Sequence, residues 1–228
     1  MTKHFERDMQ TIERQLMSLF AFVEKMIDDA VRSLCHPEID LVAEVIDSDK
    51  RVDETEVAIE EECLKILALH QPVAVDLRRI ATVLKINSDL ERIADLACNI
   101  AERAHNLHQH AFFPIPDQLP VMVRQSTKMV RMALDSFVNL DVSLAADVIQ
   151  LDKEVDENNR DVIQELQQLM QSDTSLVIPA LHCFSAARHV ERIADHAENI
   201  AEDVIYMVDG RIIRHKHGEF IDVKVSER

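Results

Sequence analysis

Apolar residues recur every three or four positions through the first stretch of the chain, at Met9, Ile12, Leu16, Leu19, Val23, Met26, Ala30 and Leu34. That spacing marks one face of an α-helix. It stops at His36-Pro37, because proline disfavours helix in the residue before it. The same rhythm predicts a second helix from about Ile39 to His70, ended by Gln71-Pro72, and a third from about Val73 to His108. Helices of about thirty residues are about 45 Å long. Three of them joined by short turns pack antiparallel as a bundle.

A break follows at residues 109–116, which hold Phe113-Pro114-Ile115-Pro116, with Pro120 close behind; three of the chain's 6 prolines fall here. Such clustering marks a linker. Then the pattern begins again. Val45–Glu54 matches Val148–Glu157, with Asp49 and Asp152 103 positions apart. Glu91–Glu202 carries a second match: Glu91–Glu102 and Glu191–Glu202 lie 100 apart and differ only at Leu96/His196 and Cys98/Glu198. The change of offset places a three-residue deletion between the second and third helices of the second unit. The chain therefore reads as an all-α protein of two tandem antiparallel three-helix bundles related by pseudo-symmetry, residues 1–108 and 117–210, with 211–228 as a loosely held tail.

Composition narrows the function. The 228 residues contain 2 glycines, Gly210 and Gly218, so residues 1–209 hold no glycine-rich phosphate loop and no dinucleotide turn. With no Trp and 1 Tyr, and no β-branched runs between glycine turns, a sheet fold is not expected. A net charge of −17 repels nucleic-acid phosphates and anionic lipid. The N-terminus lacks a signal-peptide core. Thr174–Ala187, the longest uncharged stretch, falls short of the ~18 residues of a membrane span. These features predict a soluble cytoplasmic protein with no membrane insertion and no nucleic-acid partner. Cys35, Cys63, Cys98 and Cys183 are too widely spaced for a zinc motif and read as free thiols.

The acidic residues carry the chemistry. On the third helix Glu91, Asp95, Asn99 and Glu102 fall opposite the apolar stripe, and Glu191, Asp195, Asn199 and Glu202 repeat this on the sixth. A solvated helix face normally alternates in sign, since like charges one turn apart destabilise by about 0.2–0.5 kcal/mol. Here Glu91/Asp95, Glu191/Asp195, Asp49/Asp53 and Asp152/Asp156 all place two carboxylates one turn apart. On the second helix, Asp49 and Asp53 fall within the apolar face formed by Val42, Val45, Val52, Ile59, Cys63 and Leu67; Glu56 and Glu60 share that direction, but their repeat partners are Asn159 and Ile163. A carboxylate at a core edge needs a partner. Either arginine, for which Arg79 and Arg92 are available, or a metal ion meets that need. An all-oxygen ligand set favours Mg²⁺, Mn²⁺, Ca²⁺ or iron over zinc.

The histidines point elsewhere. His182, His189 and His196 recur every seven residues without counterparts in the first unit, which reads as packing or surface; His105, His108 and His110 gather at a helix end. Glu102-x-x-His105 is a single ExxH motif without a repeat, whereas a carboxylate-bridged di-metal oxidase of ferritin-like design, the alternative function, requires two. No nucleophile motif is present, so the chain reads as a non-enzyme.

The doubled Asp-Lys-x-Val-Asp (49–53 and 152–156), Glu56-Val57-Ala58-Ile59, Gln71-Pro72 with Asp76-Leu77-Arg78, the doubled Glu-Arg-Ile-x-Asp and the segment from Gly210 to His215 together resemble the PhoU family over nearly all of residues 5–215. The resemblance implies a cytoplasmic negative regulator of the phosphate-starvation response. It implies partners in a phosphate ABC transporter ATPase and a membrane sensor histidine kinase, and a homodimer. It also implies multinuclear metal (Mg, Mn or Fe) on carboxylates matching Glu91/Asp95 and Glu191/Asp195, with Asp49/Asp53 and Asp152/Asp156 fitting the same sites. Ala94 and Ala194 stand where many relatives have glycine.

Overall fold

The computed structural model describes residues 3–35, 39–110 and 113–213, and the backbone alone for residues 35, 39 and 40. The helix stop at His36-Pro37, Gly218, the Cys35 thiol and most of the C-terminal tail lie outside the described residues. The elements are α1 (Lys3–Cys35), α2 (Ile39–His70), α3 (Val75–Leu107), α4 (Gln118–Asn139), α5 (Val142–Ser172), a 3₁₀ turn (Thr174–Leu176) and α6 (Val177–Asp209). Helices α1, α2 and α3 pack on one another, and so do α4, α5 and α6. The fold is all-α, two three-helix bundles in tandem.

The third helix begins two residues later than Pro72 alone predicts. Gln71 and Ala74 both take left-handed backbone (φ 45° and 49°), which turns the chain before the Asp76 amide bonds Val73 O at 3.2 Å. Other boundaries follow local chemistry. Leu140 (φ 54°) closes α4, and the Asp141 carboxylate then accepts from the amides of Ser143 (2.8 Å) and Leu144 (3.0 Å) to cap α5. Gly210 (φ 71°) ends α6 with its amide on Tyr206 O at 2.9 Å. Its missing Cβ would meet Arg78 at an ordinary 3.6 Å, so backbone conformation rather than space favours glycine there.

The three-residue deletion leaves the connection itself intact. Residues 71–74 and 173–176 are both four-residue links. The loss comes as one residue from the end of α5 and two from the start of α6. The second link is wound into the 3₁₀ turn, held by Asp173, which accepts from the Ser175 amide (2.8 Å) and hydroxyl (2.7 Å).

The predicted stripes are buried: Met9, Ile12, Leu16 and Val23 on α1, Val83, Ile86, Leu90, Ile93 and Ile100 on α3, and Val190, Ile193, Ile200 and Val204 on α6. Helix α2 departs in two places. Ile66 is fully buried while Leu67 packs half-buried against the core, and Asp53 is exposed while Asp49 is half-buried. At 100° per residue Asp53 lies about 80° round from Val45, outside the arc that α1 and α3 cover. Cys63 and Cys183 are buried and Cys98 half-buried, all three free; burial and nearby carboxylates push each thiol up to about 12. Among the described residues no helix is long and apolar enough to cross a membrane.

Helices α3 and α6 also pack on each other, and one continuous core runs through both bundles, while α1 and α4 touch only lightly. This seam explains why Leu96 is buried although the α3 stripe does not include it. The two helices run antiparallel across it: Arg78 Nε donates to Met207 O (3.4 Å), Lys85 Nζ meets Asp203 Oδ1 (2.6 Å), and Asp89 Oδ1 meets His196 Nδ1 (2.8 Å).

Candidate functional site

Each bundle sets carboxylates of its second helix against carboxylates of its third. In the first, the Asp95 charge bears on Asp49 and the Asp53 charge bears on Glu91, so α2 and α3 face each other with like sign. Desolvation by the adjoining helices raises Asp49 above the ordinary carboxylate range, and Asp53 and Asp95 add to this. Desolvation raises Glu91 as well, with Asp95, Asp53 and Glu56 behind it. In the second bundle the Asp156 charge bears on both Glu191 and Asp195. Glu191 is raised by desolvation, then by Asp195. Asp195 reaches the surface, yet the surrounding helices and Asp156 raise it too.

Seven of the eight predicted residues are thus placed in two facing sets: Asp49, Asp53, Glu91 and Asp95 in the first bundle, Asp156, Glu191 and Asp195 in the second. The remaining one, Asp152, lies half-buried on α5 one turn before Asp156 and has interaction partners of its own. Arginine meets these sets only in part. Arg79 is committed to α1, at 2.6 Å from Glu13 and 3.6 Å from Glu6. Arg92 lies 3.4 Å from Glu91 and 3.7 Å from Asp95 with its side chain 59% exposed. Arg188 reaches Glu191 at 2.9 Å and Arg160 reaches Asp156 at 3.8 Å. Exposed pairs of this kind contribute about 0–1 kcal/mol each, too little to account for both sets. Glu191 Oε2 remains buried without a partner.

Two further residues belong to the first set. Glu56 is raised by desolvation and by Glu60 and Asp53, and it bears on Glu91. The Cys98 thiol contacts Asp49 and lies 3.6 Å from Val45 O. In the second bundle Glu198 stands at the place of Cys98, half-buried. This substitution is one of the two differences between the twelve-residue repeats, and it marks the position in the sequence.

An all-oxygen set from two helices suits a hard cation, and mutual repulsion is what such a charge relieves. Asp49, Asp53, Glu91 and Asp95 could hold one in the first bundle, and Asp156, Glu191 and Asp195 in the second. Among the described residues no three His, Cys, Asp or Glu side chains are drawn into a finished metal cage. The helix-end histidines do not converge either: His105 is exposed, His108 Nε2 meets Ser33 O at 2.5 Å, and His110 lies 6.5 Å from the His182 ring.

The model of the PhoU domain matches residues 16–104 and 119–204 of the chain. The phosphate-specific transport system accessory protein PhoU of Escherichia coli (strain K12) is 33% identical over 218 residues, spanning 96% of this chain and 90% of that protein. The crystal structure of PhoU from Pseudomonas aeruginosa is 38% identical, with a TM-score of 0.87 over 91% of this chain and 100% of that one. The crystal structure of the phosphate transport system regulatory protein PhoU from Streptococcus pneumoniae is 26% identical, with a TM-score of 0.85 over 91% of this chain and 98% of that one. Two matched domains and similarity over nearly the whole length place the chain in the PhoU family, as a non-catalytic regulator in phosphate transport and signalling.

Proposed function

We propose that the chain is a metal-dependent helical adaptor in the cytoplasm, acting between the ATPase of a phosphate ABC transporter and a sensor histidine kinase, and that it works as a homodimer. The observation that carries this reading is the confrontation of like-charged carboxylates across two helices, present in both bundles. Asp49, Asp53, Glu91 and Asp95 would hold metal on the first face, and Asp152, Asp156, Glu191 and Asp195 on the second. A bound Mg²⁺, Mn²⁺ or iron ion supplies the positive charge that neutralises each face. Without that charge the two faces repel an acidic partner; once it is in place, the carboxylates left over and the exposed rim can engage one. The exposed Leu69, Val73, Val75 and Leu77 around the α2–α3 turn add an apolar surface of the kind that protein partners cover.

Elemental analysis of protein purified without chelator tests the metal. Stoichiometric Mg, Mn or Fe is expected, lost in Asp95→Ala/Asp195→Ala together with retention of the transporter ATPase and kinase in co-purification at high phosphate. Absence of metal, with partner retention unchanged in the double variant, would overturn the mechanism while leaving family membership untouched.

A further inference from the structure

The two ends of the α3–α6 seam are related by the internal repeat, and their charges do not match. At one end every ionic group is answered. Lys85 Nζ meets Asp203 Oδ1 at 2.6 Å, and His196 Nδ1 meets Asp89 Oδ1 at 2.8 Å. The hydroxyl of Thr82 donates to Asp203 O at 3.4 Å. At a shift of 100 residues the equivalents are Arg103 for Asp203, Ser185 for Lys85, His189 for Asp89, His182 for Thr82 and Leu96 for His196. Both carboxylates are gone, and an arginine stands in place of one of them.

That end leaves polar atoms unanswered. Arg103 Nε and His189 Nδ1 are both buried without a hydrogen-bond partner. His189 Nε2 lies 3.3 Å from Ser185 Oγ. If the serine hydroxyl donates there, His189 carries its proton on Nδ1, so both orphaned atoms are donors. The antiparallel register that sets Asp89 against His196 brings Arg103 opposite His182, and the charge of Arg103 bears on both His182 and His189. Burial, Arg103 and His110 press His182 toward its neutral form. Glu102 is the carboxylate bearing on His189, and its side chain is exposed; Arg188 and Arg192 add positive charge from α6. Arg103 itself is half-buried, but a buried arginine N–H left idle is costly unless something accepts from it. A water molecule would offer lone pairs but leave the charge unmet, whereas an anion offers both.

We propose that this end of the seam binds an oxyanion of the phosphate or sulfate class, held by the Arg103 guanidinium, the His189 Nδ1–H and His182. The site borders the carboxylate faces through Arg188, which also reaches Glu191, and through Glu102, but it does not rest on those faces binding metal. An anion there would tie α3 to α6 as Asp203 does at the other end, so its concentration would set how firmly the two bundles are joined.

The test is calorimetric titration of the full chain, with metal removed by chelator, with sulfate and in parallel with inorganic phosphate. Chelation keeps phosphate from reporting on metal at the carboxylate faces. One saturable site is expected for sulfate, weakened about 10-fold or more by Arg103→Gln and changed less than about two-fold by Lys153→Gln, which removes an exposed charge on α5. Phosphate binding as well as sulfate marks a general oxyanion site; phosphate binding more tightly marks selectivity within the same class. Should Arg103→Gln fail to fold, the Arg103 Nε–H resonance of the wild-type chain must shift saturably with sulfate. Absence of saturable heat up to about 20 mM sulfate, weaker than any affinity of use, overturns the proposal. So does an unmoved Arg103 resonance, or unchanged affinity in a folded Arg103→Gln variant.

Discussion

Asp49 shows what the acidic faces cost the metal-free chain. Its carboxyl is raised by desolvation and by Asp53 and Asp95. A raised carboxylate binds its proton more tightly folded than unfolded, so its contribution to stability is full at low pH and is lost as pH rises through the folded value. Removing the charge should therefore help most at neutral pH. Asp49→Asn is expected to stabilise the chelated protein by about 0.5–1 kcal/mol near pH 7.5, from two like-charge contacts, and the gain should shrink as pH falls into the carboxylate range and the wild-type carboxyl takes up its proton. His182 and His189, held low by burial and Arg103, pull the total stability the other way on acidification, so the difference between variant and wild type is the quantity to read from urea midpoints. With Mn²⁺ present the sign should reverse, because the variant lacks a ligand. A gain that is flat with pH in chelator would refute the facing-charge account. At this scale the sequence was informative because repulsion repeated across a duplication is itself a signal. The exposure of Asp53 and the part played by Glu56 were not legible. Both depend on how far α1 and α3 wrap around α2, and the repeat partner of Glu56 is a buried Asn159.

Among the elements, boundaries written in a single residue's chemistry could be read directly. Proline closed α2, and the periodic stripes of α1, α3 and α6 lie in the core as expected. The start of α3 could not be read. It depends on Gln71 and Ala74 adopting positive φ, which neither residue type favours. The deletion in the second unit was visible in the offset, but its division between α5 and α6 was not, because offsets register length and not winding. The Asp141 cap between α4 and α5 gives the prediction at this scale. Its carboxylate satisfies two amides of the first turn of α5, directly after Leu140 at φ 54°. Asp141→Ala should cost about 1 kcal/mol, seen as a lower urea midpoint at unchanged slope. Asp147→Ala, an exposed position on the same helix, should stay within about 0.5 kcal/mol. Equal effects of the two would mean that the capping bonds contribute nothing.

For the molecule as a whole, the sequence revealed the two halves but not the seam that joins them. Each half is complete in its own periodicity, and a pattern repeated in both says nothing about which faces meet. The places where the halves disagree are what mark the contact: Leu96/His196, Lys85/Ser185 and Asp203/Arg103 all lie along α3 and α6 where they cross. The Lys85–Asp203 pair shows how the seam stabilises the molecule. Asp203 is 3% exposed, while Lys85 reaches solvent and lies 5.7 Å from the Tyr206 ring. Losing the lysine removes the cation that faces a buried carboxylate; losing both charges leaves no charge to answer. Lys85→Met alone should therefore cost about 2–3 kcal/mol, Asp203→Leu alone less, and Lys85→Met/Asp203→Leu should recover most of the loss, giving a coupling energy above about 1 kcal/mol in a double-mutant cycle. A rim ion pair would show single effects within about 0.5 kcal/mol and no coupling. The cycle also reports on cooperativity. If the seam holds the bundles as one folding unit, the Lys85→Met chain should still unfold in one transition at a lower midpoint, since the apolar core that runs through both bundles remains. Two separated transitions would instead show that this one ion pair, and not the apolar seam around it, is what couples the halves.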